Sequence, residues 1–550
     1  MSLVPTGDTA TQHRSIVYTT KNKGMVASAS PLANAAGLDV LIKGGNAFDA
    51  AIAVAAVQNV TMPMMCTLGG DVFAVVYEAK TGRTYGVNGS GVAPTGATRE
   101  YFTGRGYNKM PEDGPLAPSV PGAVHAYDTI LKRFGTWPLG KLLEYAVPFA
   151  EEGFPIPERT GRHFQDDLKL LRKYPTTAKV MTKNGEPYRI GEVLVQKYLA
   201  RSFRRIIESG AEEFYTGALA KEMIAAYREN GGLFTEQDFA AHTTDVYEPL
   251  RTNYRGYDVL ETAPPSQGLL VLEMLNLVEG YDLKAMGAGT PEAIHLLVEA
   301  KKLAYADRNR YMGDPKFVKA PLKGIISREY AAVRRRAINA DRAAAEASAG
   351  DPHPFDGNTT YFAIVDGQGN AVSFIHSISN SYGCGFIAGD TGILFNNRAG
   401  RGFNLIEGHP NCIAPGKKTM HTLNAYMVMQ GGKPFVLGGT PGGDSQPQWN
   451  LQIITNIIDF GMNVQQAIEA PRWMSHPGTD PVNIEDPFEL QVESRFPREV
   501  LDALAAKGHK IKLCEPWFTS GGVQLIKIDP ETGVRMGGSD PHTDGAAVAY

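Results

Sequence analysis

The chain has 550 residues and a mass of 59.5 kDa, with 43% hydrophobic and 20% charged residues. This composition is typical of a globular protein with a large core, and it excludes a disordered chain or a fibre. The net charge is −4, and the longest basic run is Arg334-Arg335-Arg336. Neither a nucleic acid nor a membrane is therefore an expected partner, and we expect a small molecule instead.

The cysteines and the amino terminus predict a compartment. The four cysteines form no CxxC pair, and they stand at Cys66, Cys384, Cys412 and Cys514. Their spacing does not predict a disulfide framework, which fits a reducing compartment. The first residues show no basic segment followed by an apolar one, and no apolar run reaches about 18 residues. We expect a cytoplasmic protein.

Short strands and helices alternate at the beginning of the chain, and helices dominate its middle. Strands are predicted at 25–29 and 72–77, and Gly44-Gly45-Asn46 separates the first two helices. Apolar residues at three- and four-residue intervals predict helices at 31–43, 47–58, 139–152, 193–208, 219–230 and 291–311. An Ala-rich, charged stretch at 334–350 predicts one more exposed helix.

The strongest discontinuity is the turn-forming run from Asp351 to Asn358. Two β-rich stretches follow, 359–365 and 371–377, and the glycine-containing loop between them predicts a hairpin. Later segments are predicted as strands at 425–429, 435–437 and 523–528 and as helices at 449–460 and 497–507. No Ser/Gly or Pro-rich linker and no internal repeat appears, so we expect one layered core of helices and sheets.

Thr359 is a candidate nucleophile because it begins a predicted strand directly behind an Asp-Gly-Asn turn. If the bond between Asn358 and Thr359 were cut, Thr359 would carry a hydroxyl and a free α-amine. That amine can act as the base for its own hydroxyl nucleophile. The alternative is that the Thr359-Thr360 pair only supplies β-forming residues after a turn.

A glycine-dense loop, Leu437-Gly438-Gly439-Thr440-Pro441-Gly442-Gly443-Asp444, is the second candidate feature. Consecutive glycines allow backbone N–H groups to converge on one anionic point. The loop lacks the GK[ST] ending of a phosphate-binding loop, so an oxyanion role is favoured over phosphate binding. A tight turn from strand to helix is the alternative.

Metal and serine-hydrolase motifs are missing from the sequence. HExxH, paired CxxC and GxSxG do not occur. His376 and His421 are the histidines of interest, and each has the alternative role of a satisfied polar residue.

Together these features resemble the γ-glutamyltransferase (glutathione hydrolase) family of amino-terminal nucleophile hydrolases over nearly the whole chain. The segments that carry the resemblance are Gly44-Gly45-Asn46-Ala47-Phe48-Asp49-Ala50-Ala51, Pro118-Ser119-Val120-Pro121-Gly122, Pro264-Pro265-Ser266-Gln267-Gly268, Asn358-Thr359-Thr360-Tyr361, Gly369-Asn370-Ala371-Val372 and Asp540-Pro541-His542-Thr543-Asp544-Gly545.

The resemblance implies an α+β fold, a four-layer αββα sandwich that forms one globular unit. The precursor would cut itself before Thr359, giving a large subunit of residues 1–358 and a small subunit of residues 359–550. These would form a heterodimer, or a dimer of such heterodimers. Thr359 would attack the substrate carbonyl, Ser377 would steady it, and the Gly442 and Gly443 amides would hold the oxyanion. No cofactor and no metal are implied.

The positions that bind substrate in the family differ in this sequence. Ser90 stands where the family has an arginine that binds the substrate α-carboxylate. Arg398 and Arg401 follow the Asn-Asn pair, where the family has an acidic residue that receives the α-ammonium. His421-Thr422 replaces a Ser-Ser pair, and Ser379 replaces an asparagine. These exchanges should disfavour a substrate with a free α-amino group, because an unpaired buried charge costs several kcal/mol. The two arginines could instead pair with a small anionic acyl group. Alternatively, Arg398 and Arg401 lie in a solvated loop or at a subunit contact.

The pattern resembles the transferase-like amidohydrolase branch, which includes oxamate amidohydrolase and glutaryl-cephalosporin acylases. We therefore expect a self-processing amidohydrolase that cleaves a small acidic amide through an acyl-threonine. One alternative is a true γ-glutamyl hydrolase or transpeptidase with a rewired pocket. Another is an unprocessed, inactive homologue that serves as a binding protein.

Overall fold

A computed structural model describes residues 13–319, 321–350, 361–477, 486–519 and 521–550. The strands in chain order are β1 (Val17–Thr19), β2 (Met25–Ser28), β3 (Asp71–Glu78), β4 (Arg83–Gly89), β5 (Phe154–Pro155), β6 (Val193–Leu194), β7 (Asp245–Tyr247), β8 (Leu250–Tyr254), β9 (Tyr257–Glu261), β10 (Phe362–Val365), β11 (Ala371–Ser377), β12 (Tyr426–Gln430), β13 (Lys433–Gly439), β14 (Trp473–His476), β15 (Glu489–Glu493), β16 (Ile511–Cys514), β17 (Gln524–Ile528), β18 (Arg535–Ser539) and β19 (Ala546–Ala549).

The helices of the first half are α1 (Pro31–Ile42), α2 (Ala47–Thr61), α3 (Arg99–Thr103), α4 (Ala123–Phe134), α5 (Leu139–Leu143), α6 (Val147–Glu151), α7 (Glu158–Asp166), α8 (Leu168–Lys173), α9 (Pro175–Met181), α10 (Lys197–Ser209), α11 (Glu212–Tyr215), α12 (Ala218–Glu229) and α13 (Glu236–Ala240). Those of the second half are α14 (Gly268–Val278), α15 (Leu283–Met286), α16 (Pro291–Tyr311), α17 (Leu322–Ile325), α18 (Arg328–Arg335), α19 (Arg398–Gly402), α20 (Gln446–Ile458), α21 (Val464–Glu469) and α22 (Arg498–Ala506).

Two antiparallel sheets form the centre of the described structure. Each has seven strands, in the orders β1-β18-β17-β13-β12-β9-β8 and β19-β2-β10-β11-β3-β4-β7. The predicted hairpin is confirmed, because β10 pairs with β11 with Phe362 opposite Phe374. A three-stranded and a two-stranded sheet lie outside this centre.

The residues of β3 explain why the two sheets stack. Phe73, Val75 and Tyr77 belong to a buried cluster that also contains Met427 and Leu437 of the other sheet. The intervening residues, at 72, 74 and 76, belong to a different cluster that contains α1 and α2. Since side chains alternate across a strand, β3 buries both of its faces, one against the partner sheet and one against helices.

The outer face of the other sheet is covered by helices as well. Its strands contribute Val428 and Val436 to a cluster formed mainly by residues of α14, α16, α20 and α21. Helices, sheet, sheet and helices therefore follow one another as layers, which confirms the αββα architecture. No helix among the described residues is both long and apolar enough to cross a lipid bilayer.

Several predicted helices match the structure, and one prediction is wrong. The stretch 334–350 does not continue as a helix, since α18 ends at Arg335. Farther along, two backbone N–H groups bond to distant partners: Ala343 donates to the Lys507 carbonyl at 2.7 Å and Ala344 to Glu299 at 3.1 Å. These tertiary hydrogen bonds outweigh the helix propensity of the alanines.

Two other helical stretches are shorter than predicted. The stretch 139–152 divides into α5 and α6, with Pro148 in the first turn of α6. Proline is compatible with a helix start but not with a continuous helix interior, which accounts for the division. In the stretch 193–208, the first residues pair as β6 with β5, and α10 begins only at Lys197.

The predicted boundary between the two subunits, 358/359, lies outside the described residues and stays a prediction. The last residue described before it is Gly350, whose N–H donates to Asp307 at 2.6 Å and whose carbonyl accepts from the Tyr311 hydroxyl at 2.6 Å. The first residue described after it is Tyr361, which is buried between the sheets.

Candidate active site

The predicted site residues that the structure describes lie on the ends of strands and on the segments that follow them. Ser377 ends β11, Gly442 and Gly443 follow β13, Arg398 and Arg401 lie on α19, and Ser379, His421 and Thr422 lie on irregular segments. Asn358 and Thr359 lie outside the described residues. Tyr361, two residues after Thr359 in the sequence, packs its ring against Gly439, where an added Cβ would lie 2.3 Å from the ring.

The turn after β11 holds Ser379 in an uncommon conformation. The Ser379 N–H donates to the Ser377 Oγ at 2.8 Å, and Ser379 has a φ of +82°. The left-handed region is unusual for a serine, so the surrounding structure must enforce it. The Ser379 Oγ is buried and has no hydrogen-bond partner among the described residues. It is therefore a polar group that remains open to a ligand.

A buried charged cluster lies beside this turn, formed by Asp71, Arg398, His421 and Thr422. Asp71 is paired across the sheet with Ser377. Arg398 Nε lies 3.5 Å from Asp71 Oδ2, and Arg398 Nη1 donates to Thr422 Oγ1 at 3.3 Å. His421 Nε2 lies 4.0 Å from the same Asp71 oxygen. The structure thus brings together three of the residues predicted to bind substrate.

Burial changes the ionisation of all three titratable groups in this cluster. It raises the pKa of Asp71 to about 7, although the positive charge of Arg398 acts in the opposite direction. Burial also lowers the pKa of Arg398 to about 10, which keeps the guanidinium charged at neutral pH. The pKa of His421 falls well below its usual value, mainly through burial, so its ring is neutral.

Parts of the cluster have unused hydrogen-bonding capacity. Arg398 Nη2 and both ring nitrogens of His421 are buried without a hydrogen-bond partner among the described residues. Buried polar atoms of this kind are costly unless a ligand or water satisfies them. Asp71 itself was missed by sequence reasoning, although a carboxylate at the start of a strand with both faces buried could have signalled it.

Arg401 belongs to a second charged group, next to the glycine loop. Its Nη2 lies 3.9 Å from Asp444 Oδ2. The other carboxylate oxygen, Oδ1, accepts from both terminal nitrogens of Arg308 at 3.0 Å. Two guanidinium groups therefore lie beside one carboxylate.

Arg401 also borders both the glycine loop and a cavity. A Cβ added to Gly443 would lie 2.9 Å from Arg401 Nη2. Arg401 lines a cavity of about 430 Å³ together with Glu112, Asn380 and Leu405. Arg398 in contrast is only 1% exposed. The two predicted arginines therefore differ in exposure. Arg398 is buried beside Asp71, whereas a ligand in the cavity can reach Arg401.

The glycine loop has a conformation that requires glycine. Gly442 has φ +130° and Gly443 has φ +57°. An added Cβ at Gly442 would lie 2.1 Å from the ring of Trp449. The Gly443 carbonyl accepts from Gln267 Nε2 at 3.4 Å, which connects the loop to the segment before α14. A backbone of this kind can present consecutive N–H groups to an anion, and the predicted oxyanion role stays a prediction.

Ser90 and His376 have internal partners. Ser90 is fully buried and its hydroxyl donates to Asn88 Oδ1 at 2.6 Å. His376 Nε2 lies 2.8 Å from Gln58 Oε1, and burial lowers the pKa of the ring to about 3. His376 therefore has its alternative role, that of a neutral polar residue with its hydrogen bonds satisfied.

One trio among the described residues has the spacing of metal ligands: His295, Glu299 and His509. Their polar atoms already have partners. His295 Nδ1 lies 2.8 Å from His509 Nε2, while Glu299 accepts from Lys302 Nζ at 2.7 Å and from the Ala344 N–H at 3.1 Å. Hydrogen bonding accounts for this trio without a metal ion.

Comparison with known proteins identifies the family. The family model described as gamma-glutamyltranspeptidase matches residues 33–550. A glutathione hydrolase-like YwrD proenzyme from Bacillus subtilis (strain 168) is 40% identical over 528 residues, which cover 96% of this chain and 98% of that protein. A glutathione hydrolase proenzyme from Escherichia coli (strain K12) is 35% identical over 546 residues, covering 95% of this chain and 90% of that protein.

A solved structure extends the similarity to an acylase. The crystal structure of a cephalosporin acylase from Bacillus halodurans has a TM-score of 0.91 and 36% sequence identity, and the match covers 100% of this chain and 99% of that one. The resemblance that the sequence motifs indicated is thus confirmed over the full length. The chain belongs to the gamma-glutamyltranspeptidase family and is an amide hydrolase of the N-terminal nucleophile type.

Proposed function

We propose that the protein is a self-processing amidohydrolase that transfers a small anionic acyl group from an amide to Thr359 and then to water. The observation that carries this proposal is the position of Arg401, whose guanidinium borders Gly443 and which lines the adjacent cavity. A carboxylate at the far end of the acyl group would pair with this arginine while the scissile carbonyl faces the glycine loop.

The charge balance favours an acyl group without an α-ammonium. Arg308 and Arg401 both lie beside Asp444, and burial raises the pKa of Asp71 beside Arg398 to about 7. An ammonium group would approach these guanidinium groups after losing its water, at a cost of several kcal/mol. A carboxylate would be attracted instead.

The chemistry follows from the residue types. The Thr359 Oγ forms a bond to the carbonyl carbon, and its proton moves to the Thr359 α-amine. The amide N–H groups of Gly442 and Gly443 stabilise the oxyanion. The C–N bond then breaks, the amine leaves with a proton, and water hydrolyses the acyl-threonine to release the acid. The α-amine exists only after hydrolysis of the Asn358–Thr359 bond, which fits relatives that are named proenzymes.

A pair of substrates that differ in one group tests the acyl preference. Glutaryl-p-nitroanilide and γ-glutamyl-p-nitroanilide share the chain and the leaving group, and only the second carries an α-ammonium. We expect kcat/KM for the glutaryl substrate to be at least about tenfold higher, which corresponds to about 1.4 kcal/mol. Oxamate, tested in parallel, reports on a shorter acid. A preference for the γ-glutamyl substrate would establish the glutathione hydrolase alternative, which the names of two relatives favour.

Two neighbouring substitutions test the nucleophile. We expect Thr359→Ala to give an uncut, folded and inactive chain, because it removes the hydroxyl that attacks. Thr360→Ala is the matched control, and it should still be cut. A denaturing gel and the amino-terminal sequence of the smaller band provide the measurement. Normal turnover by Thr359→Ala would refute the assignment, and an uncut but stable wild-type chain would favour a binding protein.

A further inference from the structure

The backbone from residue 339 to residue 350 runs alongside α16 and in the same direction. At the beginning of this segment, the Asn339 carbonyl oxygen lies 2.7 Å from His295 Nε2. At its end, the Gly350 carbonyl accepts from the Tyr311 hydroxyl at 2.6 Å. With 21 residues, α16 is the longest helix among the described residues. It therefore supports the segment that leads to the predicted cut.

Three side chains hold the end of this segment by converging on one carboxylate. The N–H of Gly350 donates to Asp307 Oδ1 at 2.6 Å. The other carboxylate oxygen, Oδ2, accepts from the Tyr330 hydroxyl at 2.8 Å and from Arg334 Nε at 3.1 Å. Hydrogen bonds to a charged acceptor are stronger than those between neutral groups, and this acceptor is fully buried. We call Asp307, Tyr330 and Arg334 the Gly350 anchor.

A second carboxyl group, that of Glu273 on α14, lies beside Asp307. Both of its oxygens are buried without a hydrogen-bond partner among the described residues. Burial, together with the negative charge of Asp307, raises the pKa of Glu273 well above its usual range, so this group is uncharged at neutral pH. The anchor therefore contains one carboxylate, Asp307, balanced by one guanidinium, Arg334.

Gly350 fits the anchor because it has no side chain. An added Cβ would collide with the Tyr330 hydroxyl oxygen, and it would lie 2.7 Å from Arg334 Cδ. A larger residue at position 350 would therefore have to displace the anchor or move away from it. The hydrogen bond and the close approach together fix the backbone of Gly350 at one place on α16 and α18.

The described chain is held on both sides of the proposed cut. Eight residues, 351–358, separate Gly350 from Thr359, and a stretch of this length spans at most about 30 Å. The next described residue, Tyr361, is buried between the two sheets. Fixed ends reduce the entropy that is lost when the Asn358–Thr359 bond enters a reactive geometry. The hold on Gly350 therefore affects how readily this bond reacts.

We propose that Asp307 is a positioning residue for the self-cleavage before Thr359, and that it acts through its hold on Gly350. This inference rests on the proposed function, in which the chain cuts itself. In the cut, Thr359 Oγ bonds to the Asn358 carbonyl carbon, the C–N bond breaks, and the hydroxyl proton passes to the released α-amine. Water then hydrolyses the ester and leaves a carboxylic acid on Asn358. The anchor takes no part in these bond changes, so the mature enzyme does not need it for turnover.

Two buried aspartates with the same kinds of partner test this role. Asp307→Asn replaces an acceptor of the anchor with a donor. Asp459 accepts from the Tyr254 hydroxyl at 2.7 Å and from Arg255 Nε at 3.0 Å, so Asp459→Asn is the matched control. On a denaturing gel of newly translated protein, we expect the rate of the cut to fall at least about tenfold in Asp307→Asn and to stay within about twofold of the wild type in Asp459→Asn.

The mature form of the same variant separates positioning from a general structural role. Once cut, Asp307→Asn should have the kcat and KM of the wild type, measured on whichever nitroanilide the wild type cleaves better. A loss of turnover as large as the loss in the rate of the cut would assign Asp307 to the fold as a whole and overturn the inference.

Gly350→Ala tests the same contact without removing a polar group, and it decides the matter if Asp307→Asn does not fold. We expect it to slow the cut at least about tenfold, because the added Cβ displaces Tyr330. Gly96→Ala is its control, since the nearest atom to an added Cβ there lies at 3.6 Å. A cut at the wild-type rate in Gly350→Ala, or equal slowing in Gly96→Ala, would overturn the inference.

Hydrogen exchange in the uncut Thr359→Ala chain tests the anchor without any cleavage. We expect the backbone amides of residues 344–350 to exchange at least about tenfold faster when Asp307→Asn is added, while those of β11 keep their protection. Unchanged exchange at 344–350 would overturn the inference.

The outcomes for the wild type distinguish this inference from the proposed function. If the wild type is cut and both anchor variants are cut equally fast, only the inference fails. If the wild type is cut and prefers the γ-glutamyl substrate while the anchor variants are slow, the acyl preference fails and the inference stands. A wild-type chain that is never cut would refute self-cleavage, and the positioning role with it.

Discussion

Gly442 combines two constraints at one position. Its φ of +130° is rarely adopted by other residues, and Trp449 occupies the space where a side chain would begin. A change at this residue must therefore displace either the loop or the tryptophan. Because the proposed oxyanion donors lie in this loop, a small displacement would weaken stabilisation of the transition state.

We expect Gly442→Ala to lower kcat by about 10²- to 10³-fold, the usual cost of losing one oxyanion donor. Gly461→Ala is a matched control, since Gly461 has φ +67° and open space around its Cα. The control should lose only about 1 kcal/mol of stability and keep its turnover. Steady-state kinetics on glutaryl-p-nitroanilide and thermal unfolding measure both effects. Equal kcat values for the two variants would show that the loop does not act in catalysis.

Asp71 makes the stability of the protein depend on pH. Burial raises its pKa from the ordinary value of 3.8 to about 7, and the charged groups that influence it are Arg398 and Lys418. The neutral ring of His421 also faces it. Over this range the native state binds a proton that the unfolded chain has released. The stabilisation is present below the unfolded pKa and is lost as the pH rises through about 7.

We therefore expect the free energy of unfolding to decrease between about pH 5 and about pH 8 more steeply in the wild type than in Asp71→Asn. Urea unfolding at a series of pH values measures both slopes. Parallel slopes would mean that Asp71 has an ordinary pKa in the folded protein. Asp314→Asn serves as a control for the loss of another buried carboxylate.

The sequence indicated candidate site residues but not their arrangement. Arg398 and Arg401 are three positions apart and seemed equivalent, yet one is buried against Asp71 and the other lines a cavity. Such a difference depends on β3 and on Asp444, which are distant in the sequence. Local patterns describe residue types, whereas the distribution of charge depends on tertiary contacts.

At the scale of elements, α2 connects the two halves of the molecule. Asn46 and Asp49 form a capping box at its start. The Ala47 N–H donates to Asp366 Oδ2 at 2.9 Å, and Asp366 lies in the turn between β10 and β11. The Asn46 Nδ2 also donates to the Phe134 carbonyl at 2.8 Å. All residues of α2 are buried, so its position fixes the face of the sheet that carries β11.

We expect Asn46→Ala to destabilise the protein by about 2 kcal/mol, the upper part of the range for an N-cap. Asn463→Ala is the comparison, because Asn463 forms the equivalent capping box at α21. We expect about 1 kcal/mol for this second variant, a typical cost for an N-cap. Chemical unfolding of both variants gives the difference. A larger loss for Asn463→Ala would contradict the importance assigned to the start of α2.

The elements that were predicted correctly have strong local signals. The helix at α2 has a glycine break and an N-cap before it, and the β10–β11 hairpin has alternating residues around a glycine turn. The stretch 334–350 has helix-forming residues, but its backbone N–H groups find partners at Lys507 and Glu299. Those partners could not be anticipated from a local pattern.

At the scale of the whole molecule, a cut before Thr359 would separate strands that alternate within each sheet. In one sheet β10 and β11 lie between β2 and β3, and in the other β18, β17, β13 and β12 lie between β1 and β9. Strands from before and after the proposed cut are thus hydrogen-bonded to one another. The buried layer between the sheets also contains residues from both portions.

We expect the cut protein to migrate as one species in gel filtration and as two bands on a denaturing gel. The two portions should unfold in a single transition, because neither has a complete sheet without the other. Differential scanning calorimetry together with far-UV circular dichroism measures this. Two well-separated transitions, or elution of a free small portion, would contradict the shared sheets.

Because β10 and β11 lie between β2 and β3, the exchange of cut portions between molecules is also restricted. A portion could leave its partner only after ladders on both of its sides had opened, which amounts to unfolding. This can be tested with two mature enzymes, one that carries only Arg401→Gln and one that carries a defect before residue 350. Mixing the two in native buffer should fail to restore activity. Genetic complementation between such alleles would require that their products meet before they fold.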